Sequence, residues 1–265
     1  MRRYTFAVMA IVVALVCWRQ PLGAESALYS VENLGTLGGL VPTVTGINAS
    51  GQVSGYVNGP DGARAVRYTN GQGWEYLPGL DTSYSVANGI NAAGDLVGYR
   101  FTATGDLRGF RYRDGSGVEE IAPLPGGSMT LGFAINTAGD VVGYADSPAG
   151  IVGFLANPGV PATVLPSLGG GFAIACGVND AGQIAGSSLN ASGVQHAMRL
   201  DPGQALPVEI GSFDGPTGFS VGCALDEAGR VGGQSGHGTA TQALRFYGGT
   251  LLNLDSLASS LSNTE

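Results

Sequence analysis

The side chains that could carry chemistry in this chain are few and widely spaced. Its two histidines, His196 and His237, stand in different parts of the sequence, with no HxxH, HExxH or HxH pair. With Cys176 and Cys223 at unrelated spacings they do not outline a zinc site, and they read as surface or edge histidines. Glu119 and Glu120 are adjacent. On a strand, successive side chains point to opposite faces, so the pair reads as a solvated edge. Glycoside hydrolysis needs carboxyl groups about 5–9.5 Å apart on one site. Asp95 and Asp140 each follow a turn glycine and read as turn chemistry. Asp81 and Asp214 occupy equivalent connections between repeats and are the carboxylates best placed to meet a ligand. There is no Gly-x-Ser-x-Gly and no Asp-x-Asp calcium loop. Gly126-Gly127 and Gly169-Gly170-Gly171 read as turn glycines, because a phosphate loop would need a following helix and a lysine. No catalytic, cofactor-binding or metal-ligating residue is assigned, and no cofactor is expected. Tyr56, Tyr99 and Tyr144, with Tyr68 and Tyr112, recur at fixed positions. Such rings can stack on sugars or pack between sheets, and the second use is the more common.

The elements that must position these residues are legible in a repeat. The phrase Ile47-Asn48-x-x-Gly51-x-Val53-x-Gly55 returns from Ile90, Ile135, Val178 and Leu225, at intervals of 43, 45, 43 and 47 residues. The last copy has Asp226 in place of Asn. Asn-x-x-Gly suits a type I turn, with Asn bonding nearby backbone and Gly free to take positive φ, so it predicts a hairpin. Before the turn a small residue alternates with a branched aliphatic. After it come runs such as Asp140-Val141-Val142-Gly143-Tyr144. These are strand compositions. A third strand is expected around Arg67, Arg111, Leu155, Arg199 and Arg245, and a fourth centred on Leu77, Ile121, Leu165, Ile210 and Leu254. Four strands per unit of about 40–45 residues is the arithmetic of a propeller blade. The fold class expected is therefore all-β, a β-propeller-like array of five four-stranded repeats.

Asn33 to Gly39 matches a fourth strand, with Leu34 lying 43 residues before Leu77, and is expected as an orphan N-terminal strand. Either five blades close and the orphan is extra, or a six-bladed ring is incomplete. The faithfulness of the orphan copy favours the second, and with it a truncated chain.

Residues 1–24 read as a secretory signal peptide: Arg2 and Arg3, an apolar run from Phe6 to Cys17, and Leu22-Gly23-Ala24 before the cut. Residues 25–265 then form a single repeat domain, extracellular or periplasmic. Losing Arg2, Arg3 and Arg19 leaves nine arginines against 20 Asp and Glu, a net charge of −11 with no lysine. Such a surface repels phosphate backbones and anionic lipid, so neither nucleic acid nor membrane is expected as a partner. Cys176 and Cys223 both lie three residues before the Asn or Asp of their unit. Equivalent positions in neighbouring blades point the same way around a ring, which disfavours a disulfide and predicts two buried thiols.

The repeats resemble the HAF family of bacterial extracellular repeat proteins. The matching residues are Leu34-Gly35-Thr36-Leu37-Gly38-Gly39, the five Asn/Asp-x-x-Gly turns, and His196-Ala197-Met198, close to the family's His-Ala-Phe. The other units carry Arg64, Arg108, Val152 and Gln242 at the His position, so that histidine is no shared functional group. The resemblance implies export and repeat architecture, and carries over no active site. The chain is expected to be a monomeric, non-enzymatic binding or interaction module, with a glycan or a surface protein as partner. A carbohydrate-active hydrolase or lyase on the same scaffold, and a structural matrix component, are the alternatives.

Overall fold

A computed structural model describes residues 31–81, 84–237 and 240–256; the signal-peptide reading of residues 1–24 lies outside them. Each copy of the turn phrase builds one four-stranded antiparallel sheet. The first sheet is β1 (Thr43–Ile47), β2 (Val53–Gly59), β3 (Gly62–Thr69) and β4 (Gly73–Tyr76), and the second is β5 (Ser85–Ile90), β6 (Leu96–Phe101), β7 (Leu107–Arg113) and β8 (Gly117–Ile121). The third is β9 (Thr130–Ile135), β10 (Val141–Ser147), β11 (Gly150–Ala156) and β12 (Thr163–Val164). The fourth is β13 (Gly169–Val178), β14 (Ile184–Asn190), β15 (Gln195–Leu200) and β16 (Val208–Gly211), and the fifth is β17 (Ser220–Leu225), β18 (Val231–His237), β19 (Ala240–Tyr247) and β20 (Thr250–Asn253). The third and fourth sheets are also joined edgewise by a parallel bridge from Ile151 to Phe172.

The first strands β1, β5, β9, β13 and β17 pack one on the next, and no comparable packing joins the fourth strands. The sheets therefore radiate from their first strands as propeller blades do. The core lies between blades rather than within them. Ala65, Leu77 and Leu80 of the first blade meet Ala87, Leu96 and Phe110 of the second, and Val97, Ile121 and Leu124 of the second meet Ile135, Val141 and Phe154 of the third. Similar clusters join the third blade to the fourth and the fourth to the fifth. The five blades form an arc. Among the described residues no comparable packing brings the fifth blade onto the first, and Val44 and Ile47 on β1 are 53% and 70% exposed. Five-bladed closure is thus not the arrangement observed.

Three expectations need correction. The fourth strands stop at Tyr76, Ile121, Val164, Gly211 and Asn253. The leucines that follow, Leu77 and Leu80 above all, drop into the interblade core instead of continuing the ladder. The segment around Leu34 is likewise not a strand among residues 31–36; Leu37 and Leu40 close a tight turn by exchanging backbone hydrogen bonds of 3.0 Å. Gly169-Gly170-Gly171 is no turn either. It opens β13, with Gly169 paired to Asn190, and a side chain at Gly170 would collide with Leu189 across the pair.

The repeated turn is the hairpin its residues require. Gly51 donates to the Asn48 carbonyl at 3.0 Å with φ +75°, and the other four copies repeat this bond and a positive φ at the glycine. Each innermost strand then carries a bulge three residues before the Asn, at Thr45, Asn88, Phe133, Cys176 and Cys223. The bulge pushes a strand-one carbonyl towards strand two. A Cβ at Gly143 would sit inside the Leu131 carbonyl oxygen, and Gly55, Gly98, Gly186 and Gly233 face the same obstruction.

Candidate functional site

Three features have the composition of a functional site: the bulged inner strands, a group of aromatic rings, and a buried His–Glu pair. In a bulge the extra residue escapes the ladder and can be re-aimed, which is why bulges often hold site residues. Here two of the five are occupied with the next blade. Thr45 Oγ1 donates to the Ala87 carbonyl at 2.7 Å and Asn88 Nδ2 to the Gly132 carbonyl at 2.8 Å. Cys176 is half-buried, and burial together with Cys223 pushes its thiol up to about 11. Cys223, in the fifth blade, is exposed. Both thiols are free, as expected, but only one is covered. A bulge residue is shielded by the blade that follows, and the fifth has none among the described residues.

The aromatic group lies at the opposite end of the inner strands from the Asn turns. Tyr56, Tyr99 and Tyr144 pair with Thr43, Val86 and Leu131 near the starts of β1, β5 and β9. Tyr84 sits in the connection that enters β5; its ring centroid is 6.3 Å from Tyr99 and 5.4 Å from Phe101. Phe133, a bulge residue, lies 5.5 Å from Tyr144. Burial, with Tyr84, Tyr56 and Tyr144 nearby, pushes the Tyr99 hydroxyl up to about 12, so it stays a neutral donor at any physiological pH. Tyr56, Tyr99 and Tyr144 are half-buried, while Tyr84 and Phe101 are exposed. Tyr68 and Tyr112, by contrast, are buried, Tyr112 in the core between the first two blades. The recurrent tyrosines therefore divide: those on the third strands pack the core, and those on the second strands gather with Tyr84, Phe101 and Phe133 at one face.

His196 is not an edge histidine. It is 2% exposed, with Nδ1 2.6 Å from Glu209 and Nε2 2.7 Å from the Gly218 carbonyl. Hydrogen bonds from Asn190 and His196 hold the Glu209 carboxyl below its usual range. Both ring nitrogens are consumed in joining the fourth blade to the loop entering the fifth, which is a structural use. His237 ends β18, but its side chain lies outside the described residues.

Glu119 and Glu120 line one cavity and Asp140 lines another, but no described cavity gathers the other sequence candidates with them. Glu119 pairs with Arg111 at 2.7 Å and Glu120 with Arg100 at 3.2 Å, on opposite faces as the alternation requires. Asp95 and Asp140 accept from the side chains of Asn91 and Asn136 at 3.2 and 2.9 Å, the turn role assigned to them. Asp81 is exposed, and Asp214 begins a single 3-10 turn, Gly215–Thr217. Neither stands with a second carboxylate in a described cavity.

Sequence reasoning missed what the turn Asn does beyond its own turn. Asn48 Nδ2 donates to the Asn91 carbonyl at 2.9 Å, Asn91 to Asn136 at 2.9 Å, Asn136 to Asn179 at 3.3 Å and Asn179 to Asp226 at 3.1 Å. The signal was present four residues after each Asn. Gln52, Asp95, Asp140 and Gln183 all supply a side-chain acceptor that orients the amide.

Against proteins of known structure the chain matches at the level of fold. It is similar to TolB from Acinetobacter baumannii, at 10% identity and a TM-score of 0.56 over 81% of this chain and 54% of that one. It is also similar to a putative TolB from Agrobacterium tumefaciens, at 13% identity and a TM-score of 0.54 over 81% of this chain and 79% of that one. The chain thus spans about half the length of the Acinetobacter protein. No family profile and no curated protein matches the sequence. Together with the blade packing, these neighbours establish a β-propeller-like fold.

Proposed function

We propose that this chain is an exported, non-enzymatic binding module of the HAF-repeat kind, and that its ligand is a carbohydrate. The observation that supports the ligand class is the aromatic group on the first three blades: Tyr56, Tyr84, Tyr99 and Tyr144, with Phe101 and Phe133, gathered at one end of the inner strands. Tyrosine offers an apolar face for a sugar's C–H surface and a hydroxyl for its polar rim. Its two side-chain torsions make it inexpensive to hold in place. Export is supported by the basic start, apolar run and small-residue cut within residues 1–24.

A glycan array probed with the chain from residue 25 onward tests the proposal. Binding to a defined set of oligosaccharides is expected. A variant carrying Tyr84→Ala and Tyr99→Ala should lose about tenfold or more in affinity while melting as a folded protein, the loss of two stacking anchors. An array on which nothing binds, or binding indifferent to the paired substitution, overturns it.

A further inference from the structure

Three of the four blade junctions share an arginine that the remaining one lacks. Arg67 on β3 donates through Nη1 to the Gly94 carbonyl in the second blade's turn at 3.0 Å. Its Nη2 also meets Glu75 and Asp114, at 2.9 and 3.0 Å. Arg111 on β7 donates to the Ala156 carbonyl in the third blade at 2.7 Å. Arg199 on β15 donates to the Gly229 carbonyl in the fifth blade's turn at 3.1 Å and lies over the Phe246 ring at 5.7 Å. Each guanidinium thus bridges from the third strand of one blade to the next blade. In the third blade the residue at this position is Leu155.

A second clasp is absent from the same place. Ser85, Thr130 and Ser220, near the start of their inner strands, take the backbone N–H of Ala65, Gly109 and Ala197 from the preceding blade at 2.8–3.0 Å. The fourth blade has Ala173 there, and its sheet meets the third through the Ile151–Phe172 backbone bridge instead.

The result is a cavity of about 430 Å³ between the third and fourth blades, lined by Leu155 and Leu200 and by Asp140, Asp180, Asp201 and the turn glycine Gly182. No cationic side chain lines it. Its carboxylates are already oriented: Asp140 by Asn136, Asp180 by Thr137, and Asp201 by Gln183 and Arg199. No donor among the described residues reaches the Gly182 carbonyl, whereas its equivalents Gly94 and Gly229 each accept from an arginine.

We propose that this cavity binds a guanidinium group supplied in trans, the side chain of an arginine that takes the place Arg67, Arg111 and Arg199 fill at the other junctions. The planar fork can meet a turn carbonyl and a carboxylate together, as Arg67 does. It is also weakly hydrated, which suits a cavity with leucine walls better than a compact ammonium. The volume is that of an ordinary small-ligand site.

Calorimetric titration of the chain from residue 25 with Nα-acetyl-arginine amide, and with its lysine and citrulline counterparts, tests the proposal. One equivalent of the arginine compound should bind, about tenfold or more tighter than either counterpart. Leu155→Arg, which installs the residue of the neighbouring junctions, should abolish binding while melting no lower than the parent. Asp180→Asn should weaken it about fivefold, by removing one charge-assisted partner. Absence of arginine binding, equal binding of arginine and lysine, or undiminished binding to folded Leu155→Arg overturns the proposal. Free L-arginine, whose own carboxylate the aspartates repel, separates the two sources of the group. Binding as tight as the blocked compound assigns the cavity to a small molecule; a clear preference for the blocked compound assigns it to an arginine within a polypeptide.

Discussion

The side-chain amide of Asn91 leaves its own turn and donates to the backbone carbonyl of Asn136, 2.9 Å away in the next blade. The oxygen of the same amide stays at home, accepting from the N–H groups of Ala93 and Asp95 at 3.0 and 2.9 Å. One residue therefore shapes a hairpin with its acceptor and ties two blades with its donor.

These two roles separate by substitution. Asn91→Asp keeps the acceptor and removes the donor, leaving the buried Asn136 carbonyl facing a carboxylate; a loss of about 1–3 kcal/mol is expected. Asn91→Ala removes both and should cost more. Urea unfolding of the two variants checks the order: equal losses would show that the hairpin bonds to the acceptor contribute nothing, and an Asn91→Asp variant as stable as the parent would show the same of the interblade bond.

Gly143 faces the Leu131 carbonyl that the bulge at Phe133 drives towards it. Gly143→Ala should lower stability by about 3 kcal/mol, the upper range for overpacking, because backbone must move to admit the methyl group. Gly105→Ala at an exposed turn, where no atom stands in the way of a Cβ, serves as the comparison. It should cost only the strain of a positive φ, about 1–2 kcal/mol. Differential scanning calorimetry reads both.

The Glu209–His196 pair predicts acid sensitivity with a definite sign. Glu209 is held below its ordinary 4.5 by Asn190 and His196. Its ionised form therefore favours the fold. The contribution is complete above the ordinary value and disappears as pH falls through the lowered one. Melting temperatures of the parent and Glu209→Gln should differ at pH 7 and converge as the pH is taken below 4.5. A difference that is constant across that window would exclude the linkage.

The two thiols should label at different rates. Cys223 is exposed and Cys176 is half-buried with its thiol pushed up to about 11. In the chain from residue 25, one equivalent of maleimide should react quickly at neutral pH and the second only on unfolding. Denatured, unreduced protein should take up two equivalents, whereas a disulfide between Cys176 and Cys223 would leave none to react.

Much of the fold was written in local chemistry. Asn48, Gly51 and their copies specify a hairpin through side-chain bonding and positive φ, and both are properties of single residues. Strand periodicity then places Val53, Val97 and Val141 where the cores form. What could not be read was anything decided between blades. Arg67 and Arg199 look like ordinary strand residues until the next turn's carbonyl is in place. His196 looks like an edge histidine until Glu209 and the Gly218 carbonyl close on it. Tyr56 and Tyr68 are equally tyrosines in a strand, and only the packing separates the half-open group from the core. The cavity at Leu155 was least legible of all, since it arises from an absence at one copy that matters only because the other junctions supply an arginine.

The asparagine series also has a polarity. Every amide points from one blade to the next in chain order, and the series ends at Asp226, whose carboxylate has no N–H to pass on and is occupied by Arg230 at 2.5 Å. The Asn48 carbonyl, at the other end, is still able to accept from a preceding amide. The two ends of the array are therefore chemically unlike. A unit placed before Asn48 would find an acceptor waiting, whereas one placed after Asp226 would receive no amide bond from that residue. Extension of this scaffold by whole repeats is directional, set by one carboxylate standing where an amide would otherwise be.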